Sequence, residues 1–140
     1  MSTTTLGVKL DAGTRERLKQ AAASIDRTPH WVVKQAIFYI QRHFDQPLNR
    51  SDVAEAISVS ENYLSQIFRQ EMGISLWDYL NRQRINHAQH LLESTTTSVT
   101  EVAAAVGIYD PAYFSRIFHK QTGLSPSAYR VAAQRLPSAK

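Results

Sequence analysis

"YLSQIFRQEMGIS", residues 63–75, returns fifty residues later as "YFSRIFHKQTGLS", residues 113–125, and this recurrence sets the architecture. Upstream, "DVAEAI" (52–57) returns as "EVAAAV" (101–106) at an offset of 49, and downstream Tyr79 matches Tyr129 at 50. The one-residue difference is an insertion at the turn around Tyr109. Each copy reads as a short helix carrying Ala and a β-branched residue, a turn, and a second helix with an inward Ile-Phe pair. A supersecondary unit repeated at a fixed period is a strong architectural signal. The chain therefore reads as two helix–turn–helix units.

The punctuation around the repeat agrees. The first copy runs through a helix over 50–57, a turn at 58–60 and a helix over 61–72 stopped by Gly73. Ser75 caps a long helix, "LWDYLNRQRINHAQHLLE" (76–93), which ends in the polar connector 94–97. Ser98 with Glu101 has the spacing of a capping box, and Gly107 is the stop. Asp110 and Pro111 open the next helix, Gly123 stops it, and Ser125 with Pro126 opens the last. The helix between the two units has about 18 residues and spans roughly 27 Å. That suits two elements held about one turn of B-DNA apart, near 34 Å.

Ahead of the repeat, Thr28 and Pro29 read as cap and first position of the helix 29–44, "PHWVVKQAIFYIQRHF", which "DQPLN" ends. Val33, Ile37, Ile40 and Phe44 form one stripe, with Trp31, Val32, Ala36 and Tyr39 beside it. So wide an apolar arc predicts burial on two sides. Before it, "DAGTRERLKQAAASI" (11–25) has helix-start chemistry at Asp11 and Leu18, Ala22 and Ile25 at helical spacing. "TTLGVKL" (4–10) alternates with period two, Leu6, Val8 and Leu10 against Thr5, Gly7 and Lys9, as a half-buried strand does. No second strand is evident, and a lone strand leaves its backbone groups unmatched.

Composition bounds the functions. The 140 residues carry no cysteine, which excludes disulfides, thiol nucleophiles and zinc–cysteine sites. No apolar run approaches the roughly 20 residues needed to span a bilayer, and "MSTTTLGVKL" lacks signal-peptide regions. A cytoplasmic, nucleoid-associated protein without membrane contact is expected. The net charge is +4, distributed unevenly: residues 1–44 hold seven Lys/Arg against three Asp/Glu, 45–101 four against eight, and 102–140 five against one. The two ends should supply most attraction for phosphate.

Reading DNA requires a helix that projects polar side chains while its other face is anchored. In 61–70, Leu64, Ile67 and Phe68 are the expected anchors, leaving Asn62, Tyr63, Ser65, Gln66 and Arg69 outward. In 111–120, Phe114, Ile117 and Phe118 anchor, leaving Ala112, Tyr113, Ser115, Arg116, His119 and Lys120. Asn, Gln and Arg can bond base edges bidentately; Ser and Lys can hold phosphate.

Residues from about Val33 to Arg130 resemble the DNA-binding domain of the AraC/XylS transcription regulators, most specifically in the closing stretch "VTEVAAAVGIYDPAYFSRIFHKQTGLSPSAYR". The resemblance implies an all-α fold of two helix–turn–helix subdomains joined by a linker helix and binding adjacent major grooves. His119 stands where that family often has Lys or Arg, which implies a weaker phosphate contact. No effector-binding domain precedes the motif, so no metabolite pocket is expected.

Residues 1–40 resemble the ribbon–helix–helix segment of PutA-type proline-utilisation repressors. That resemblance implies that the strand pairs antiparallel with its copy in a homodimer. The ribbon would enter a major groove with Thr5, Gly7 and Lys9 as base-reading residues. Thr28, Pro29 and His30 would meet a phosphate at a helix start. The chain then divides into a dimerising and DNA-binding segment, 1–44, and a double helix–turn–helix domain, 45–140, with helix 29–44 shared. Val33, Ile37 and Ile40 are wanted by both cores.

Other candidates carry less. His87 and His90 lie at i, i+3, but nothing nearby completes a metal set, so a surface pair is expected. Trp77 and Tyr79 read as core aromatics. No nucleophile elbow, P-loop or dinucleotide fingerprint occurs, so neither catalysis nor a cofactor is expected. The expected function is sequence-specific transcription regulation on double-stranded DNA, with RNA polymerase a candidate further partner. The competing readings are a nonspecific architectural DNA binder, disfavoured by the acidic middle segment, and a protein-interaction module.

Overall fold

The computed structural model describes residues 12–14 and 28–135. The expected strand 4–10, with Thr5, Gly7 and Lys9, lies outside the described residues, as does most of the helix expected from Asp11. From Thr28 onward seven helices follow: α1 (Pro29–His43), α2 (Arg50–Ala56), α3 (Glu61–Met72), α4 (Leu76–Ser94), α5 (Val99–Ala105), α6 (Pro111–Thr122) and α7 (Pro126–Arg135). No strand occurs among the described residues. The fold is all-α.

The helix starts are fixed by side chains that accept otherwise orphaned backbone N–H groups. Thr28 accepts from Trp31 at 3.0 Å, Ser60 from Tyr63 at 3.1 Å and Ser75 from Asp78 at 3.0 Å. Asp110 accepts from Ala112 at 3.0 Å and Ser125 from Ala128 at 3.1 Å. Each such cap contributes about 1 kcal/mol. At Ser98 the expected reciprocal box is half made. Its oxygen accepts from the Glu101 N–H at 3.1 Å, while the Glu101 carboxylate accepts from the Ser98 hydroxyl at 2.9 Å. The complete box is at α2, where Asn49 and Asp52 accept from each other's backbone N–H at 2.9 and 3.0 Å.

Two apolar clusters form the core. The first gathers Val32, Val33, Ala36 and Ile40 of α1, Val53 and Ala54 of α2, Leu64, Ile67 and Phe68 of α3, and Leu76 and Leu80 from the start of α4. The second gathers Ile85, Ala88 and Leu92 of α4 with Val102, Ala103, Val106, Ile108, Phe114 and Phe118. The linker helix is therefore a structural member of both units, its first half in one core and its second half in the other. Phe44, just beyond α1, packs on both.

The repeat runs deeper than the helix–turn–helix pairs. α1 buries positions 32, 33, 36 and 40, and α4 buries 84, 85, 88 and 92, the same spacing 52 residues later. The ring of Phe68 meets Tyr79 edge-on with centroids 5.7 Å apart, and Phe118 meets Tyr129 likewise at 5.4 Å. Each unit is thus three helices plus the start of the next one. In this register Arg84 of α4 occupies the place that Val32 holds in α1.

One expectation changes and two are met in part. α1 is buried on one face among the described residues: Val33 and Ile40 enter the first core, Ile37 is half-buried and Phe38 is 54% exposed. Packing on α2 and α3 takes a wide arc, with Trp31, Ile37 and Tyr39 half-buried against the same core, and Phe38 faces away from it. Ile117 is half-buried and packs against the second core at its edge, beside the fully buried Phe114 and Phe118. Trp77 is 40% exposed, since Leu76 and Leu80 are the residues of early α4 that point inward.

Gly107 follows α5 at φ +89° and does more than end a helix. A β-carbon there would lie 3.0 Å from the Phe44 carbonyl oxygen and 3.1 Å from the Asp45 carbonyl carbon. The turn of the second unit is seated directly against the backbone that follows α1.

Candidate nucleic-acid interface

On α3, Asn62, Gln66 and Arg69 are exposed, because the buried Leu64, Ile67 and Phe68 fix the helix's rotation. With Asn49, Arg50, Ser65, Ser75, Leu76 and Trp77 they line a cleft of about 730 Å³. On α6, Ala112, Arg116, His119 and Lys120 are exposed, with Phe114 and Phe118 buried beneath them. Arg116, His119 and Lys120 share a shallow depression with Ser115 and Ile117. Each polar face is built on a rigid helix rather than a loop, and so presents fixed donors.

Tyr63, Ser65, Tyr113 and Ser115 are half-buried. The Ser65 hydroxyl oxygen is enclosed and has no hydrogen-bond partner among the described residues, so it turns into the protein rather than projecting from the reading face. The Tyr113 hydroxyl accepts from the Asn81 side-chain amide at 3.0 Å, which ties the start of α6 to the middle of α4. The other end of α6 is tied too: the Gln121 amide donates to Asn86 Oδ1 at 3.3 Å. Thr28 and His30 are exposed at the start of α1, on a different element from either reading helix, and the Thr28 oxygen already accepts from Trp31.

The two faces differ in charge. The first carries Glu61, whose carboxylate lies 3.7 Å from Arg50 Nε in an exposed pair. Such a pair adds little stability, yet it offsets a negative charge beside Asn62. On the second face Arg116, His119 and Lys120 form no ion pair among the described residues, and the Arg116 guanidinium lies over the Tyr113 ring at 5.6 Å. The second face is the more attractive one for phosphate. His87 stacks on Phe44 with centroids 4.0 Å apart, and no group of three or more potential metal ligands occurs among the described residues.

Sequence reasoning missed Arg84. It is 4% exposed, yet no carboxylate neutralises it by an ion pair among the described residues. Its Nε donates to the Phe44 carbonyl at 2.7 Å and its Nη2 to the Gln46 carbonyl at 2.9 Å. Its guanidinium lies 5.9 Å from the centre of the Trp77 ring. Burial pushes it below its ordinary pKa, opposed by Tyr113, Tyr109 and Asp45, and an arginine stays charged regardless. The carbonyls it grips close the C-terminal end of α1, where a cation is favoured. The signal that could have found it is the 52-residue register, which puts an arginine at a core position.

Residues 53–132 match the family described as "Helix-turn-helix domain", more than half of the chain. Residues 11–41 match the "PutA, RHH domain" family. The chain is 43% identical over 101 residues to the uncharacterized HTH-type transcriptional regulator YijO of Escherichia coli K12, covering 69% of this chain and 36% of that protein. It is 39% identical over 103 residues to the arabinose operon regulatory protein of the same organism, covering 73% and 35%. Among solved structures, the C-terminal domain of AraT, a response regulator from Geobacillus stearothermophilus, superposes with a TM-score of 0.71 at 41% identity, covering 77% of this chain and 88% of that one. The DNA-binding domain of AdpA, described as a global transcriptional factor in complex with a target DNA, gives 0.68 at 30% identity, covering 74% and 95%. The chain spans little more than a third of the length of these curated relatives.

Proposed function

We propose that this chain, which belongs to the AraC-type family of helix-turn-helix transcription regulators, binds double-stranded DNA sequence-specifically by placing α3 and α6 in successive major grooves. That family is one of regulators, not enzymes. The observation that carries the reading is the paired geometry: two helices with exposed Asn62, Gln66, Arg69 and Ala112, Arg116, His119, Lys120, each anchored in its own core and both mounted on α4. At 19 residues, α4 is about 28 Å long, of the order of the 34 Å repeat of B-DNA. Base readout falls to Asn62, Gln66, Arg69 and Arg116. Backbone contacts fall to Lys120, His119 and Ser115, with Tyr63, Tyr113 and Ala112 supplying apolar contact.

The match at 11–41 supports a second element. Thr5, Gly7 and Lys9 form the reading face of an intermolecular ribbon, Thr28 and His30 approach a phosphate, and the protein acts as a homodimer on the bacterial nucleoid, with RNA polymerase a further partner. Selection from a random duplex pool tests the DNA reading. Enrichment of a two-part motif is expected, whereas equal retention of all duplexes points to an architectural binder and no retention to a protein-interaction module. Light scattering tests the ribbon; a monomer at micromolar concentration removes it while leaving the double helix–turn–helix reading intact.

A further inference from the structure

The two reading helices reach each other through a short mechanical chain. α3 packs on α1 in the first core. Just beyond the end of α1 come Phe44 and Gln46, whose carbonyls Arg84 holds. Arg84 belongs to α4, and α4 carries α6 through Asn81–Tyr113 and Asn86–Gln121. Gly107 adds a second contact to the same backbone, its turn abutting Phe44 and Asp45.

Stability alone does not call for a guanidinium here. A buried cation costs several kcal/mol of desolvation, and an apolar residue of similar volume often serves at least as well. The repeat makes the comparison within one molecule: α1 has Val32 at the equivalent register, fully buried, and its unit is complete. What Arg84 has and valine lacks is a planar fork that fixes two carbonyls at once. It sits where the first core gives way to the second, between Leu80 and Ile85.

We infer that Arg84 is a positioning residue that sets the separation and angle of the two reading helices, and so the spacing of the two halves of the DNA site. The inference rests on the DNA-binding reading above. Arg84 is buried and touches no DNA; it acts through the Phe44–Gln46 backbone.

The test is duplex selection followed by titration of a spacing series, using the full chain, Arg84→Val and Arg84→Lys. Valine reproduces the residue of the other copy, and lysine keeps the charge but replaces the rigid planar fork with a single rotatable ammonium. The full chain is expected to enrich two sequence elements at one separation. Both variants are expected to enrich the same two elements over separations spread by a base pair or more. At the original spacing their affinity should fall at least about tenfold, because loosening the link lowers the effective concentration of the second head. Folded variants that select the original separation alone overturn the inference, whatever their loss in melting temperature. Loss of either element or of all binding in both variants overturns it as well, since Arg84 would then hold the fold rather than the spacing. If the full chain itself selects nothing, the DNA-binding reading fails first; if only the variants behave as the full chain does, that reading stands and this inference alone is lost.

Discussion

Replacing Gly107 with alanine separates two effects that usually arrive together. Gly73, Gly107 and Gly123 share the left-handed region, at φ +77°, +89° and +84°. An alanine at any of the three meets the same backbone cost, about 1–2 kcal/mol. A β-carbon at 73 or 123 meets nothing within 4 Å, whereas at 107 it lies 3.0 Å from the Phe44 oxygen and 3.1 Å from an Asp45 main-chain atom. Those neighbours are backbone, and Arg84 also holds the Phe44 carbonyl by a hydrogen bond, so neither can swing away as a side-chain tip could. Overpacking of this kind adds about 1–3 kcal/mol. Gly107→Ala should therefore lose about 2–5 kcal/mol and the two controls about 1–2, against a total stability of about 5–15 kcal/mol. Urea unfolding followed by far-ultraviolet circular dichroism gives the three midpoints. At about 4 °C per kcal/mol, thermal melts give an independent ranking. Three variants agreeing within about 0.5 kcal/mol would show that the contact at 107 yields at no cost, and the close seating of the two units would lose its energetic meaning.

Arg116→Ala should weaken binding to a selected duplex by about 1–3 kcal/mol while leaving the melting temperature unchanged, because the side chain is exposed and free of acidic partners among the described residues; an unaltered dissociation constant takes Arg116 off the interface. Tyr129 donates to Glu93, and burial first, then Glu93, raises its pKa above the ordinary 10.0. A raised pKa means the folded state holds the proton more tightly, so the stabilisation is whole below pH 10 and is lost as pH climbs through the folded value. Tyr129→Phe should be less stable than the parent at neutral pH by about 1 kcal/mol or less, and the gap should close above pH 10; a gap that stays constant to pH 11.5 or so would contradict the assignment.

Much of this fold was legible because its signals are local. Caps at Thr28, Ser75, Asp110 and Ser125 act within three residues of themselves, and the repeat displays its inward Ile-Phe pairs directly. What was hidden depends on residues far apart in the chain. Arg84 looks like a surface residue in the polar run "NRQRINH", and its partners are 38 and 40 residues away. Gly107 reads correctly as a stop, while its contact with Phe44 is a tertiary fact. Trp77 carries an apolar side chain whose burial is decided by which neighbours fill the core first. Ser65 sits at an outward register, yet its hydroxyl turns inward.

The stripe Val32, Val33, Ala36 and Ile40 bears on where this polypeptide can be cut and what can be transplanted. A cassette that began at Asp45 would carry every reading residue of α3 and α6, yet would strip four apolar side chains from the first core and leave the Arg84 fork without its Phe44 acceptor. The smallest portable piece thus starts at the Thr28 cap, and any foreign segment spliced ahead of it inherits α1 as its neighbour with Phe38 facing outward.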